Sequence, residues 1–376
     1  MKITEVIIRP VQVPRKESFG VRTGKYDVMP NVYVQLNTDE GLVGYGEGAP
    51  IVDYFGESQE TMVEVLKNYL APAIIGKDPL NIRERIREMD VVIPRNPCAK
   101  AAIDIALHDL KGKALGVSIG SLLGGVSQEL VPVTVSIGLD DLATMKDKAV
   151  AAASQGFSVL KLKGGQNVAE DIANLTTVRK AVGENGPWLR LDANAGYVNR
   201  GELYRCLGEM QALRLILLEQ PFPSQEWDAL RHLRDRLNIP ILLDESMQTP
   251  WDFQQMVKSP EGFVANLKVQ ICGGLYKASQ LVAACERFQI PVMIGSQRES
   301  VIGNTASLHL ASIITRLDYT CDQRYANAVK NEANVAEDGP PLSGPLVPVP
   351  KGKGLGITVN WKKSDSMALA THVIRP

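Results

Sequence analysis

Cysteine is scarce and unpatterned in this chain: Cys98, Cys206, Cys272, Cys285 and Cys321 stand apart, with no Cys-x-x-Cys pair. That excludes a disulfide framework and a thiolate metal centre, and the five read as reduced and mostly buried. Histidine is scarcer still. His108, His232, His309 and His372 are widely separated, and His309 sits inside the apolar helical run 306–311, where one local hydrogen bond is its expected fate. Any metal site must therefore be built from oxygens. A surplus of one charge is also missing. With 41 Lys and Arg against 42 Asp and Glu the net charge is −1, so no long-range field gathers nucleic acid or an anionic membrane. No apolar run approaches the ~20 residues that span a bilayer, and Met1-Lys2-Ile3-Thr4-Glu5 lacks a secretory apolar region. The expectation is a cytoplasmic protein with neither nucleic acid nor membrane as partner, acting on a small molecule.

What is present is a change of period along 376 residues, a length that allows two or three domains with a large barrel counted as one. Segments 3–13, 32–36 and 42–46 alternate as antiparallel strands, the last two joined by the turn Thr38-Asp39-Glu40-Gly41. From about residue 57 to 115 the spacing becomes helical, as in 101–110. This α+β module ends near Leu122-Leu123-Gly124-Gly125, giving a capping domain over 1–125.

A repeat of aliphatic run, loop and helix follows. Its strand candidates are 131–136, 159–163, 189–192, 216–219, 241–244, 264–268, 292–295 and a short one at 319–321. The strand ends from Lys163 to Gly295 recur at roughly 25 residues, enough for one strand and one return helix. Eight such parallel strands close into a barrel, whereas an open doubly wound sheet would be expected to show a Gly-x-Gly-x-x-Gly after its first strand. The barrel occupies 126–337. The tail 338–376, rich in Gly and Pro, reads as a meander with an edge strand at 356–361 that returns to the cap, since a strand cannot stand alone. The fold class is α/β: a modified (β/α)7β-type TIM barrel with an α+β N-terminal cap completed by the C-terminal tail.

Five consecutive barrel strands end on a charged residue, Lys163, Asp192, Glu219, Asp244 and Lys268, each after aliphatic neighbours such as Leu189-Arg190-Leu191. Active sites sit at the C-terminal rim of such barrels, so the five side chains point into one basin. Three carboxylates crowded there repel unless a cation intervenes, and three oxygens with room for substrate describe a Mg²⁺ site, with Mn²⁺ as the alternative ion. The bland alternative pairs each acid with a lysine. Lys163 and Lys268 flank the three acids, which puts an ammonium on either side of a substrate α-carbon. One can remove the proton and the other return it. Lys161 shares a face with Lys163, and repulsion between the two ammoniums favours a neutral, proton-accepting Lys163. Arg190 has no assigned role.

The segments Leu160-Lys161-Leu162-Lys163-Gly164, Leu191-Asp192-Ala193-Asn194, Leu218-Glu219-Gln220-Pro221, Leu243-Asp244-Glu245-Ser246 and Asn266-Leu267-Lys268 together resemble the motif set of the enolase superfamily, muconate lactonizing enzyme subgroup. Gly44-Tyr45-Gly46-Glu47 and the run 104–109 resemble its capping domain. The resemblance implies a Mg²⁺-dependent enzyme with lysine bases and an enolate-type intermediate. It implies that Asn194 and Glu245 tune the metal surroundings and that Glu299 lies beside the reacting carboxylate. It also implies self-association into a homo-oligomer, and specificity set by the eighth-strand end and by two cap loops at about 15–26 and 50–57. Arg22 and Tyr54 in those loops, with Gln323 and Tyr325 after strand eight, are the candidate substrate contacts. Arg15, Lys16, Arg22 and Lys25 hint at an anionic or polar distal group.

Two departures bear on the substrate. Dipeptide epimerases of the subgroup carry Asp-x-Asp at the eighth strand, where this chain has Cys321-Asp322-Gln323, and Gln297-Arg298 replaces the usual apolar pair before Glu299. The leading expectation is racemisation or epimerisation of an amino-acid-derived or related small carboxylate. A cycloisomerase or dehydratase would use the same half-reaction. A Schiff-base aldolase, which also uses a barrel lysine but needs no metal, and a non-catalytic binding role are the remote alternatives.

Overall fold

Alternating apolar residues in the first forty positions make two long strands, β1 (Ile3–Val21) and β2 (Gly24–Thr38), which pair antiparallel, with β3 (Val43–Gly48) on the far side of β2. The computed structural model describes residues 1–323, 328–341 and 344–376. One sheet face, from Ile3, Val6, Ile8, Val32, Val34 and Leu36, buries itself against helical residues such as Leu66, Ile103 and Leu107. The helix Pro97–Leu115 lies so close to β3 that a β-carbon on Gly46 would stand 1.8 Å from the carbonyl oxygen of Ala102. Glycine is required there by the approach alone.

The segment 15–26, expected as a loop, is mostly strand. After a register shift between Pro14 and Phe19 the two strands pair again to a tip at Val21 and Gly24. This hairpin reaches over the barrel, where Gly20 accepts a hydrogen bond from Leu139 N–H (2.9 Å) and Lys16 N–H donates to the carbonyl of Ala328 (2.9 Å).

The repeat forms a parallel sheet with unbroken neighbour order from β5 (Val135–Ile137) through β6 (Val159–Lys163), β7 (Trp188–Asp192), β8 (Leu215–Glu219), β9 (Ile241–Leu243), β10 (Phe263–Leu267) and β11 (Val292–Ile294). The eighth position is reduced to residues 321–322. Asp322 N–H donates to Ile294 (3.0 Å), Cys321 N–H donates to Pro132 (2.8 Å), and Thr134 N–H donates back to Cys321 (2.8 Å). Those bonds close the barrel without a strand of ordinary length. The first expected strand, 131–136, is divided: β4 (Leu130–Pro132) leaves the barrel to pair antiparallel with β12 (Leu346–Pro348), and only β5 enters it. Pro132 has no N–H to give a central ladder, which suits the break.

The tail returns to the cap, but 356–361 is not the edge strand expected there, although Trp361 at its end stacks on Tyr45 of the cap. Gly354 and Gly356 adopt φ of 64° and 71°, left-handed values that no extended strand accommodates, and the returning strand is β13 (His372–Ile374) on the free edge of β1. Among the described residues no helix is long and apolar enough to cross a membrane.

Cap and barrel are docked by acids placed at helix N-termini, where backbone N–H groups lack helical partners. Glu47 accepts from Ser300 N–H (2.7 Å), Gly303 N–H (2.7 Å) and Asn31 Nδ2 (2.6 Å), at the start of the helix Val301–Ser312. Asp104 accepts from Leu275 N–H (2.5 Å) at the start of Leu275–Arg287. His309 joins three segments: its Nδ1 accepts from Gly120 N–H (3.3 Å) and its Nε2 donates to the carbonyl of Leu355 (3.0 Å). These are long-range bonds rather than the single local one expected.

With both nitrogens committed, His309 folds neutral, and burial lowers its pKa from 6.5 to about 4. The unfolded chain therefore binds a proton that the folded chain refuses as pH falls below 6.5, so the stability tied to His309 is complete above that value and lost toward pH 4. Urea unfolding at pH 7 and pH 5 should differ by about 2 kcal/mol more in the native chain than in His309→Gln. An equal difference in the two would contradict the neutral assignment.

Candidate active site

Lys161 and Lys163 are two residues apart on β6, so their side chains leave the same face. Lys161 Nζ lies 3.0 Å from Asp192 Oδ2, 2.9 Å from Glu219 and 3.1 Å from Asp322 Oδ2. Burial opposes its charge, but Asp192, Asp322 and Glu219 outweigh it and hold the ammonium above its ordinary range. Lys161 is thus a fixed cation. Lys163 Nζ donates to the same Asp192 oxygen (2.6 Å) and to Asn194 Oδ1 (3.1 Å). Asp192 is buried, yet these two lysines keep it well below the usual carboxylate range.

Lys268, directly after β10, donates to Asp244 Oδ2 at 2.7 Å. Burial works against its charge, and Asp244 raises its pKa in spite of that. Glu245 lies beside Asp244 and is pushed up to about 8 by burial first and then by Asp244 and Asp192. Its Oε1 is 3.5 Å from Asn194 Nδ2, and its buried Oε2 has no hydrogen-bond donor. Glu219 is raised to about 7 by burial and by Asp192.

Arg190, fully buried on β7, pairs with Asp322 and lies 3.3 Å from Glu219. Asp322 is buried, but Arg190 and Lys161 bring it down to about 2. Each of its oxygens is already engaged, Oδ1 by Arg190 and Oδ2 by Lys161. Glu299 accepts from Ser296 Oγ (2.5 Å) and Gln297 N–H (2.7 Å) through one oxygen, while the other, also buried, has no donor.

Among the described residues no three His, Cys, Asp or Glu side chains converge as a metal-binding group, because lysine ammoniums stand between the acids. The donor set nevertheless suits a hard divalent cation. Every acidic donor is a carboxylate, and Asp192, Glu219, Asp244, Glu245, Glu299 and Asp322 exceed Lys161, Lys163, Lys268 and Arg190 by two negative charges. The donorless Oε2 of Glu245 lies within that excess. A group of charge +2 that prefers oxygen answers both features.

A cavity of about 540 Å³ opens above these groups, with Lys161, Lys163, Asp244, Lys268 and Glu299 toward the barrel and Tyr54 toward the cap. Asp192 and Glu219 are fully buried and do not line it. Two further candidates stand apart from it. Arg22 donates from Nε to the carbonyl of Asn194 (3.2 Å), and Gln323 donates to the carbonyls of Ile294 (3.1 Å) and Gly295 (3.0 Å). Tyr325 lies outside the described residues.

Gln220 escaped the sequence reading. Buried at φ 34° just past β8, it accepts from the N–H groups of Asp244 (3.0 Å) and Ser246 (3.1 Å) and donates to Phe222 O (2.7 Å) and Ser246 Oγ (2.8 Å). It fixes the chain where Asp244 leaves its strand. The signal was its place immediately after Glu219. Gln220→Ala strands two buried N–H groups and should cost about 2 kcal/mol or more in denaturant unfolding. A loss under ~0.5 kcal/mol would mean the loop holds itself.

Comparison with known proteins gives two family matches: the mandelate racemase/muconate lactonizing enzyme N-terminal domain over residues 3–124, and the enolase C-terminal domain-like family over 144–363. The N-succinyl-L-Arg/Lys racemase of Bacillus cereus is 32% identical, covering 100% of both chains, and its crystal structure superposes with a TM-score of 0.94. A dipeptide epimerase from Enterococcus faecalis, solved with Mg and the dipeptide L-Leu-L-Tyr, is 33% identical, covers 95% of this chain and 100% of its own, and has a TM-score of 0.88. A chloromuconate cycloisomerase from Cupriavidus necator is 30% identical over 96% of this chain and 98% of its own.

Proposed function

The chain belongs to the mandelate racemase/muconate lactonizing enzyme family of the enolase superfamily, and from that premise we propose that it racemises or epimerises an N-acylated amino acid by moving the proton α to its carboxylate. The observation that carries the reading is a lysine on β6 and another after β10, with three strands between them in the sheet, both lining one cavity. Two ammoniums on opposite sides of a carbon allow removal from one face and return to the other. A cycloisomerisation or dehydration would need only one of them at the α-carbon.

Asp192, Glu219 and Asp244 are the residues that would hold Mg²⁺, with Asn194 and Glu245 beside them. When bound, the ion would supply positive charge to offset that developing on the substrate carboxylate during deprotonation. The chain's own groups do the rest. Lys161, kept charged by its three carboxylates, leaves the same face of β6 as Lys163 and shares Asp192 with it. Asn194 Oδ1 orients Lys163, and Asp244 orients Lys268. Glu299 lines the cavity with an oxygen that has no donor, in a position to face a substrate N–H.

The E. faecalis relative binds a dipeptide, whose free ammonium calls for an available carboxylate. Asp322, the acid at the eighth strand, is spent on Arg190 and Lys161, which favours an acylated amine of the kind named for the B. cereus relative.

In deuterated water with Mg²⁺, N-acylamino acids of either configuration should exchange the α-hydrogen. Lys163→Met and Lys268→Met should each lower racemisation by at least ~10²-fold, each removing exchange from one enantiomer. Chelation should abolish exchange and added Mg²⁺ restore it, with Mn²⁺ tested alongside. Undiminished exchange in both lysine variants would overturn the two-base assignment.

A further inference from the structure

Lys163 and the groups that orient it stand on different loops. The lysine ends β6 and runs into Gly164-Gly165, whereas its partner Asp192 ends β7 and its partner Asn194 belongs to the loop 193–197. The two loops touch backbone to backbone. A β-carbon on Gly165, at φ 92°, would stand 1.9 Å from the carbonyl oxygen of Ala193, and one on Gly196 would stand 2.0 Å from that of Gly165. The second loop does not hold its shape unaided. Asn194 and Ala195 sit at φ 42° and 57°, left-handed values that residues other than glycine keep only when their surroundings impose them.

A buried pair outside the cavity ties these loops together. Asp171, 4% exposed in the first turn of the helix Val168–Val182, accepts on a single oxygen, Oδ2, from Gly165 N–H (2.8 Å) and from the hydroxyl of Tyr197 (2.6 Å). Tyr197 is 2% exposed, and neither residue lines the cavity. Burial raises the pKa of Asp171, opposed by the Tyr197 hydroxyl and the Gly165 N–H, with no Lys or Arg partner among the described residues. A carboxylate kept out of water without a cation is retained at a cost, offset here by two short donors and by the N–H end of its helix. The other base is held differently. Lys268 continues into Val269–Cys272, which the cap grips through Gln270, bonded to Ala49 N–H (3.1 Å) and to Glu47 O (3.0 Å).

We infer that Asp171 and Tyr197 are positioning residues for Lys163 alone. Their shared carboxylate oxygen fixes the loop that follows the lysine against the loop that bears Asn194, and so sets where Lys163 Nζ stands relative to the substrate α-carbon. This rests on the two-base reading of the site. It confines the effect of the pair to one face of the substrate, because the Lys268 side is anchored by the cap instead.

The test uses the Mg²⁺-loaded full chain with Tyr197→Phe, which removes one oxygen, and Asp171→Ala. Lys163→Met identifies the enantiomer whose exchange depends on Lys163. For that enantiomer both variants should lower α-deuterium exchange at saturation by ~10-fold or more with KM unchanged, while exchange of the mirror-image substrate stays within ~2-fold. Equal loss on the two enantiomers, loss reversed by excess Mg²⁺, or no loss in Tyr197→Phe would overturn the inference. Should Asp171→Ala fail to fold, Tyr197→Phe decides. A second measurement is independent of turnover: reductive methylation read by mass spectrometry should modify Lys163 at least ~3-fold faster in Tyr197→Phe than in the native chain, and Lys268 at the same rate. If no substrate exchanges even in the native chain, faster labelling confined to Lys163 upholds the positioning pair while removing the racemase reading. Unchanged labelling in that case overturns the pair as well.

Discussion

The rest of this structure depends on keeping ten charges in or against a low-dielectric basin. Asp192 and Glu219 have no solvent exposure, and Asp244, Glu245, Lys161, Lys268 and Arg190 have little. An isolated charge in such a place costs several kcal/mol, and all of these but Glu245 have an opposite charge within ion-pair distance. Asp192 bridges Lys161 and Lys163 through one oxygen, and Asp322 ties Lys161 to Arg190. Removing any member alters the protonation of the others, and Glu219 and Glu245 are shifted upward by burial first and then by the neighbouring carboxylates. The surplus of negative charge suits a divalent cation and makes the basin sensitive to what enters it.

Such a basin needs a roof, and the cap supplies it through polar bonds at a few fixed points. Glu47 and Asp104 sit at the N-termini of two barrel helices, and Gln270, two residues beyond Lys268, accepts from Ala49 N–H (3.1 Å) and donates to Glu47 O (3.0 Å). The cap is therefore registered against the strand ends that carry the chemistry. The hairpin tip at residues 21–24 follows from that registration, as does the cap-side wall bearing Arg15.

Much of this was legible in one dimension. Parallel strands spaced by return helices can end on charged residues five times running only if those ends share a rim, so Lys163 through Lys268 announced one basin before any coordinate was known. The period of two in residues 3–13 and 32–36 gave the cap sheet in the same way. What misled was local pattern without a partner. The span 356–361 has strand-like residues, but its preceding glycines turn left-handed, and His372–Ile374 takes the edge of β1. The segment 131–136 reads as one strand, yet its halves serve different sheets.

Chain order alone determined the repeating architecture, the rim position of the five charged residues and the all-oxygen character of any metal site, because periodicity and residue chemistry are local properties. Only the tertiary structure decided which charge neutralises which. Arg190 and Asp322, 132 residues apart, become partners through closure of the barrel, and Gln220 becomes the clamp on Asp244 through the neighbouring strand. Electrostatic and hydrogen-bond partners act over a few ångströms of space, and sequence separation carries no information about that distance until the sheet is closed.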